Sequence, residues 1–169
     1  ETSASVLYRE GVRGTRPAWA QPWIVNVRVT DASGIETASY PLGSSIVFEM
    51  EFRSPGGTPV RDPVMGVVIN HYRLGAVAGV NTRMTGYHAS EGPYLRGTMR
   101  CRLDRFPFLQ GAYTADIWFG SGPSDLDVLY GCLSFSVEAT DVYGTGKPPF
   151  GHMGVVFLEP DWELQGVSV

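Results

Sequence analysis

Apolar and polar residues alternate along most of this chain with the two-residue period of a β-strand, and no segment sustains the 3.6-residue period of a helix. Trp23, Val25, Val27 and Val29 alternate with Ile24, Asn26 and Arg28. Ile46, Phe48, Met50 and Phe52 alternate with Val47, Glu49, Glu51 and Arg53. The same rhythm returns in Met99, Cys101 and Leu103 against Arg100, Arg102 and Asp104. It returns again in Tyr113, Ala115, Ile117 and Phe119 against Thr114, Asp116 and Trp118, and in Leu133, Phe135 and Val137 against Cys132, Ser134, Ser136 and Glu138. Each run predicts a half-buried strand. Val64 to Ile69 is instead almost continuously apolar and rich in β-branched residues, which predicts a strand covered on both faces or nearly so. Its period places Met65, Val67 and Ile69 on one side and Val64, Gly66, Val68 and Asn70 on the other. Tyr72-Arg73-Leu74-Gly75 ends it, with Gly75 free to take a positive φ, and a second short run leads into Gly79-Val80-Asn81-Thr82. This pair is expected to form the middle of a sheet, one face of which is the working surface.

Turn and loop chemistry separates the runs: Asp31 to Gly34, Ser54 to Asp62 with Pro55-Gly56-Gly57, Met84 to Gly97, Gly120 to Asp127, and the Gly/Pro-rich Asp141 to Gly151. Gly154 to Leu158 is a last short apolar run. Seven or eight short strands with such turns predict an all-β, immunoglobulin-like antiparallel β-sandwich. Residues 1–21 are polar and aperiodic and read as a linker or arm; Trp19 and Trp23 are unusual there and are candidates to pack back on the body or on a partner; residues 22–169 form the sandwich.

Composition narrows the class. The 169 residues suit one domain, and 43% hydrophobic content is too rich for disorder. No apolar run is long enough for a membrane-spanning helix. No signal peptide is visible and residue 1 is Glu, which suits an excised or processed piece. The net charge is −4, and Lys147 is the only lysine among 13 basic residues, which argues against nucleic acid as a partner and against a polybasic membrane anchor. Cys101 and Cys132 are too few for a disulfide scaffold; they read as two reduced, half-buried thiols or as one pair.

Catalytic and cofactor motifs fail on inspection. Gly144-Thr145-Gly146-Lys147 has Asp141 where a phosphate loop needs its first glycine, and Pro148-Pro149 follows the lysine in place of a helix. His71, His88 and His152 have no metal-ligand spacing, and no serine sits in a nucleophile elbow. Asp116 with Glu138 could be imagined as a glycosidase pair, but any β-sandwich offers such pairs by chance. No cofactor and no metal are expected.

The outward residues of the predicted strands differ between two groups. Those at 23–29, 46–53 and 99–104 present Asn26, Arg28, Glu49, Glu51, Arg53, Arg100, Arg102 and Asp104, a face of opposite charges expected to pair across strands in water. Those at 64–71, 79–83, 111–119 and 132–138 present Asn70, Asn81, Arg83, Thr114, Asp116, Trp118, Ser134 and Ser136. A tryptophan among small hydroxyls, amides and a few charges suits a sugar, whose C–H face stacks on an aromatic ring and whose hydroxyls need planar polar partners. These eight residues are the candidate glycan-binding set. Trp118 can equally be read as a cover beneath a loop or as part of a dimer interface.

One family carries these features in the same order. Val27-Arg28-Val29-Thr30-Asp31-Ala32-Ser33-Gly34, then Met65-Gly66-Val67-Val68-Ile69 leading to Gly79-Val80-Asn81-Thr82, then Leu109-Gln110-Gly111-Ala112-Tyr113, Phe135-Ser136-Val137 and the late Trp162 resemble the C-terminal domain of Wzt, the ATP-binding subunit of the ABC transporter that exports O-antigen polysaccharide. The resemblance implies non-catalytic recognition of an O-antigen-type polysaccharide, at its modified terminus. It implies an ATPase half that precedes this domain in the full-length protein, and a homodimer in which a segment after Lys147 is a candidate exchanged strand. It also implies a cytoplasmic location at the inner membrane, beside the membrane-spanning subunit of the exporter. The rival readings are a β-sandwich lyase or hydrolase acting on glycans and a structural immunoglobulin-like interaction module.

Overall fold

The computed structural model describes residues 13–89 and 91–166. Two sheets face one another. The smaller has the order β1 (Ile24–Thr30), β3 (Ile46–Arg53), β6 (Arg96–Leu103), with both pairings antiparallel. The larger has the order β2 (Ser39–Pro41), β8 (Ser124–Glu138), β7 (Gly111–Ser121), β4 (Pro63–His71), β5 (Gly75–Asn81). The three strands expected to carry the paired charges thus share one sheet, and the strands expected to carry the candidate set share the other. The short β2, beyond the reach of periodicity, adds one parallel pairing to β8.

The alternation sorts the side chains as expected. Ile46, Phe48, Met50 and Phe52 point inward from β3 and meet Tyr113, Ala115, Ile117 and Phe119 from β7, all buried. Phe52 stacks on Phe119 with ring centroids 4.7 Å apart, and Phe48 meets Phe135 edge-on at 5.7 Å. Each such side chain contributes about 1.5–3 kcal/mol by leaving water. Met65, Val67 and Ile69 join this core from β4, and Gly75 does adopt a positive φ, 72°, after the turn, but β5 is the edge strand, so the β4–β5 pair lies at one side of its sheet and not in the middle.

Local features also depart from the periodicity. A bulge in β1 between Ile24 and Asn26 buries Ile24, read as outward, and leaves Val25, read as inward, half-buried. The stretch after Asn81 is a single helical turn, α1 (Thr82–Thr85), which begins where the Asn81 side chain accepts a hydrogen bond from the Met84 amide. Gly120 to Asp127 is a tight hairpin rather than a loop, so β8 begins at Ser124. Its polar residues hid the strand because one of them, Asp127, is ion-paired inside the protein. β6 starts at Arg96, three residues ahead of its alternating run. On the charged face, Glu49 is not solvated: at 4% exposure it lies between Arg28 and Arg100, each donating from Nε at 2.5 Å. Two guanidinium groups from the flanking strands cover it. Asn26 donates across strands to Glu51, whereas Arg102 pairs not across strands but two residues on, with exposed Asp104.

The chain's two flanks pack back on the sandwich. Thr15 bridges to Tyr130 at the free upper edge of β8, and Trp23 is buried against Phe119. At the other end, Phe157 enters the core, its amide bonded to the Pro107 carbonyl while the Leu109 amide bonds to Val155. Glu159 then pairs with Arg105, and beyond it Trp162 and Leu164 stand 89% and 93% exposed. Cys101 and Cys132 are both free thiols.

Candidate functional site

The outer face of the five-stranded sheet is built by register. Thr114 on β7 lies between Asn70 on β4 and Ser134 on β8, giving a polar row across three strands. Asp116 lies beside Val68, and Trp118 lies beside Gly66, which in turn faces Asn81 on β5. A Cβ at position 66 would sit 3.2 Å from Trp118 Cβ, so glycine is what lets the indole settle against β4. A bulge between Ala115 and Ile117 breaks the β7–β8 ladder, and the Gly131 amide turns to donate to Asp116 Oδ1 at 2.7 Å.

Two depressions lie on this face. The first, of about 340 Å³, is lined by Gly66, Val68, Gly79, Asn81, Arg83, Met84, Trp118 and Asp125 among others. The second, also about 340 Å³, is lined by Ala38, Tyr72, Ala112, Tyr113, Thr114, Ser134, Phe135 and Ser136. The register sets Asn70 and Asp116 between them. All eight candidate residues therefore belong to this side of the molecule, but they do not form one cluster.

Their freedom to meet a ligand also differs. Among the described residues, no side-chain hydrogen bond engages Asn70, Thr114, Ser134 or the Trp118 indole. Ser136 donates at 3.3 Å to the Ala38 carbonyl, and its hydroxyl also lies 3.3 Å from that of Ser39. Asn81 is committed to the cap of α1. Arg83 is committed further: Nε donates to the Gly122 carbonyl at 2.7 Å, Nη1 to Asp125 at 2.8 Å and Nη2 to the Ser124 carbonyl at 3.1 Å. Asn81 and Arg83 thus shape the wall of the first depression by tying α1 to the β7–β8 hairpin.

Two aromatic residues outside the candidate set also lie here, and one of them, Trp19, packs back on the body as the sequence suggested. Trp19, from the arm before β1, lies against Trp118 with ring centroids 6.2 Å apart and planes 30° apart, and Tyr130 meets Trp118 edge-on at 5.9 Å. Tyr130 fell inside β8 next to the bulge, where alternation changes phase. Trp19 sits in an aperiodic stretch, and its residue type among polar neighbours was its only signal.

The face offers stacking surface and hydrogen-bonding groups but no assembled reactive pair. Glu138 lies beyond Val137, whose partner Gly111 is five residues along β7 from Asp116. At ~3.3 Å per residue that separation is about 16 Å, wider than the ~10 Å limit for two carboxylates that share one glycosidic bond. Glu138 instead accepts a hydrogen bond from Ser39. Among the described residues, no group of three or more His, Cys, Asp or Glu is placed to hold a metal ion, and no helix is long and apolar enough to cross a membrane.

A two-layer sandwich that presents aromatic and small polar side chains on one outer sheet face is the frame of a β-sandwich binding module. The chain belongs to the Wzt C-terminal domain family, whose model matches residues 23–154. The family is one of binding domains rather than enzymes. A crystal structure of the C-terminal domain of Wzt shares the fold: TM-score 0.67 at 17% identity, over 93% of each chain. Two other structures match more loosely. The soluble domain of PmoD from Methylocystis sp. has 12% identity and a TM-score of 0.36, over 69% of this chain and 97% of that one. A CARDB domain from Pyrococcus furiosus, solved in complex with di-metal ions, has 12% identity and a TM-score of 0.40, over 70% and 92%. Neither likeness is close enough to carry an argument. No curated protein sequence matches the chain.

Proposed function

We propose that this domain recognises an O-antigen-type polysaccharide, at its modified terminus, for export by an ABC transporter, and that the outer face of the five-stranded sheet is where the glycan lies. The observation that carries this reading is Trp118. It is half-buried against Gly66 with its ring beside a groove, and the polar row Asn70, Thr114 and Ser134, whose side chains hold no partners among the described residues, crosses the same face four residues along β7, about 13 Å away. An aromatic face with free amide and hydroxyl groups further along the same sheet suits an extended chain of sugar rings, one stacked on the indole and others bonded to the polar row. The smaller sheet's outer face offers charges that already satisfy one another around Glu49.

In this reading the domain binds and does not cleave. It works beside an ATPase half of the same subunit, in the cytoplasm at the inner membrane, coupled to the membrane-spanning subunit. It acts as a homodimer. The exposed Trp162 and Leu164, past the point where Phe157 enters the protomer's own core, are apolar surface suited to exchange with a second copy. The test is calorimetric titration of the protein and its Trp118→Ala variant with the polysaccharide of the source organism, prepared with and without its terminal cap. Loss of binding in the variant and preference for the capped form are expected. Shortening of the polysaccharide during incubation would favour a glycan-cleaving enzyme instead.

A further inference from the structure

The segment that leads into the sandwich is held unusually firmly. Thr15 exchanges two backbone hydrogen bonds with Tyr130, at 3.0 and 2.9 Å, and the Gln21 amide bonds to the Leu126 carbonyl at 2.9 Å. The arm therefore spans the edge of β8 on both sides of Val128, a residue paired with Trp118 and fully buried. Arg16 anchors it, with Nε and Nη2 on the two carboxylate oxygens of Asp127 at 2.7 and 3.0 Å. Between these fixed points the chain turns at Pro17, with the Ala20 amide on its carbonyl, and lays Trp19 on Trp118.

A tryptophan that served only to cover Val128 would be expected to disappear into the contact. Trp19 instead keeps 52% of its surface in water, and Tyr130, on the other strand, keeps 38%. With half-buried Trp118 between them, three aromatic rings form one exposed patch on the proposed glycan face, each held in place by backbone or ring contacts. Pre-positioned aromatic rings provide contact area at small entropic cost, which is what stacking on sugar faces requires.

We propose that Trp19 is a glycan-contact residue supplied by the arm, so that the binding surface is a composite of sheet and arm: Trp118 and Tyr130 from the sheet, Trp19 from the segment that enters it. This rests on the glycan reading of the face and extends it across the arm. A glycan seated there would touch the same segment through which the sandwich joins whatever precedes it, which gives occupancy a physical path to that neighbour.

The experiment is titration of the whole protein with the delipidated polysaccharide of the source organism, by calorimetry, for Trp19→Ala, Trp19→Phe and Trp118→Ala. Circular dichroism before titration establishes that each variant is folded, including loss of any coupled-indole signal from the Trp19–Trp118 pair. Trp19→Ala is expected to weaken binding about tenfold, with part recovered in Trp19→Phe, which keeps a ring to stack. If Trp118→Ala weakens binding and Trp19→Ala leaves it unchanged, the composite surface is wrong and the glycan reading stands. If Trp19→Ala binds more tightly, Trp19 is a cover that the glycan displaces, and the proposal is overturned. If neither variant changes binding of a glycan that the protein does bind, the face itself is wrong and this proposal falls with it.

Discussion

Arg16 and Asp127, 111 positions apart, meet as a two-pronged ion pair inside the protein, with Asp127 fully buried. Asp127 also accepts the Ile24 and Val128 amides, each at 2.8 Å, and Arg16 donates to the Ile24 carbonyl at 3.1 Å. One carboxylate thereby ties the arm, the start of β1 and β8 together.

Removing one partner leaves the other charge buried and alone. Arg16→Ala should destabilise the protein by ~3–5 kcal/mol, the usual range for breaking a buried pair. The shift of the urea midpoint at constant m-value measures it. A loss below ~1 kcal/mol, the scale of an exposed ion pair, would mean that water reaches Asp127 once the arm is loosened.

Glu49 makes the acid limb of the stability profile specific. Burial pushes its carboxyl up, but the hydrogen bonds and charges of Arg28 and Arg100 outweigh burial and hold it below the ordinary glutamate value. A depressed carboxylate stabilises the fold fully above its unfolded value, ~4.3, and loses that contribution as the pH falls through the lower folded value. Glu49→Gln should be less stable than the parent at pH 7 and should narrow that gap as the pH falls below ~4. Thermal midpoints of the two proteins across that range check it; a gap that does not depend on pH would exclude the linkage.

The glycan reading predicts which face responds. Trp118→Ala and Asp116→Ala should each weaken binding about tenfold or more, from stacking worth ~0.5–1.5 kcal/mol beyond area and a charged hydrogen bond worth ~1.5–3 kcal/mol. Arg102→Ala, on the outer face of the smaller sheet and paired among the described residues with exposed Asp104, should leave binding unchanged. Isothermal calorimetry of the three variants decides between the faces.

Cys132 should be inert in the folded protein. Burial pushes its thiol up to about 12, and burial also raises Cys101. The nucleophile is the thiolate, so at pH 8 a disulfide reagent should modify Cys132 at the rate of global unfolding and Cys101 somewhat faster. Rapid labelling of Cys132 under native conditions would reveal local opening of β8 near its bulge.

The C-terminal flank separates stability from assembly. Ending the chain after Glu159 removes the exposed Trp162 and Leu164 but spares Phe157, whereas ending it after Gly146 removes a core side chain as well. Light scattering should show a dimer for the parent and a monomer for the shorter of these two deletions, with its thermal midpoint nearly unchanged. The larger deletion should also lower that midpoint. A dimer that survives both would place the interface elsewhere.

The β-sandwich is legible in the sequence because alternation is a local property. A strand half covered by a core must repeat every two residues, so Ile46 to Arg53 and Tyr113 to Phe119 declare their inward sides without knowledge of their partners. The division into two sheets is legible in residue character, with paired charges on one outer face and small polar groups around Trp118 on the other. Tertiary structure alone decided the rest, because the remaining questions concern groups distant in sequence. Glu49 and Asp127 look like surface carboxylates until the arginines that cover or clamp them arrive from other elements. Asn81 and Arg83 look available until α1 and the β7–β8 hairpin engage them. Trp19 has no period to read, and it reaches Trp118 because Arg16 finds Asp127, and Thr15 and Gln21 find the edge of β8, across the fold.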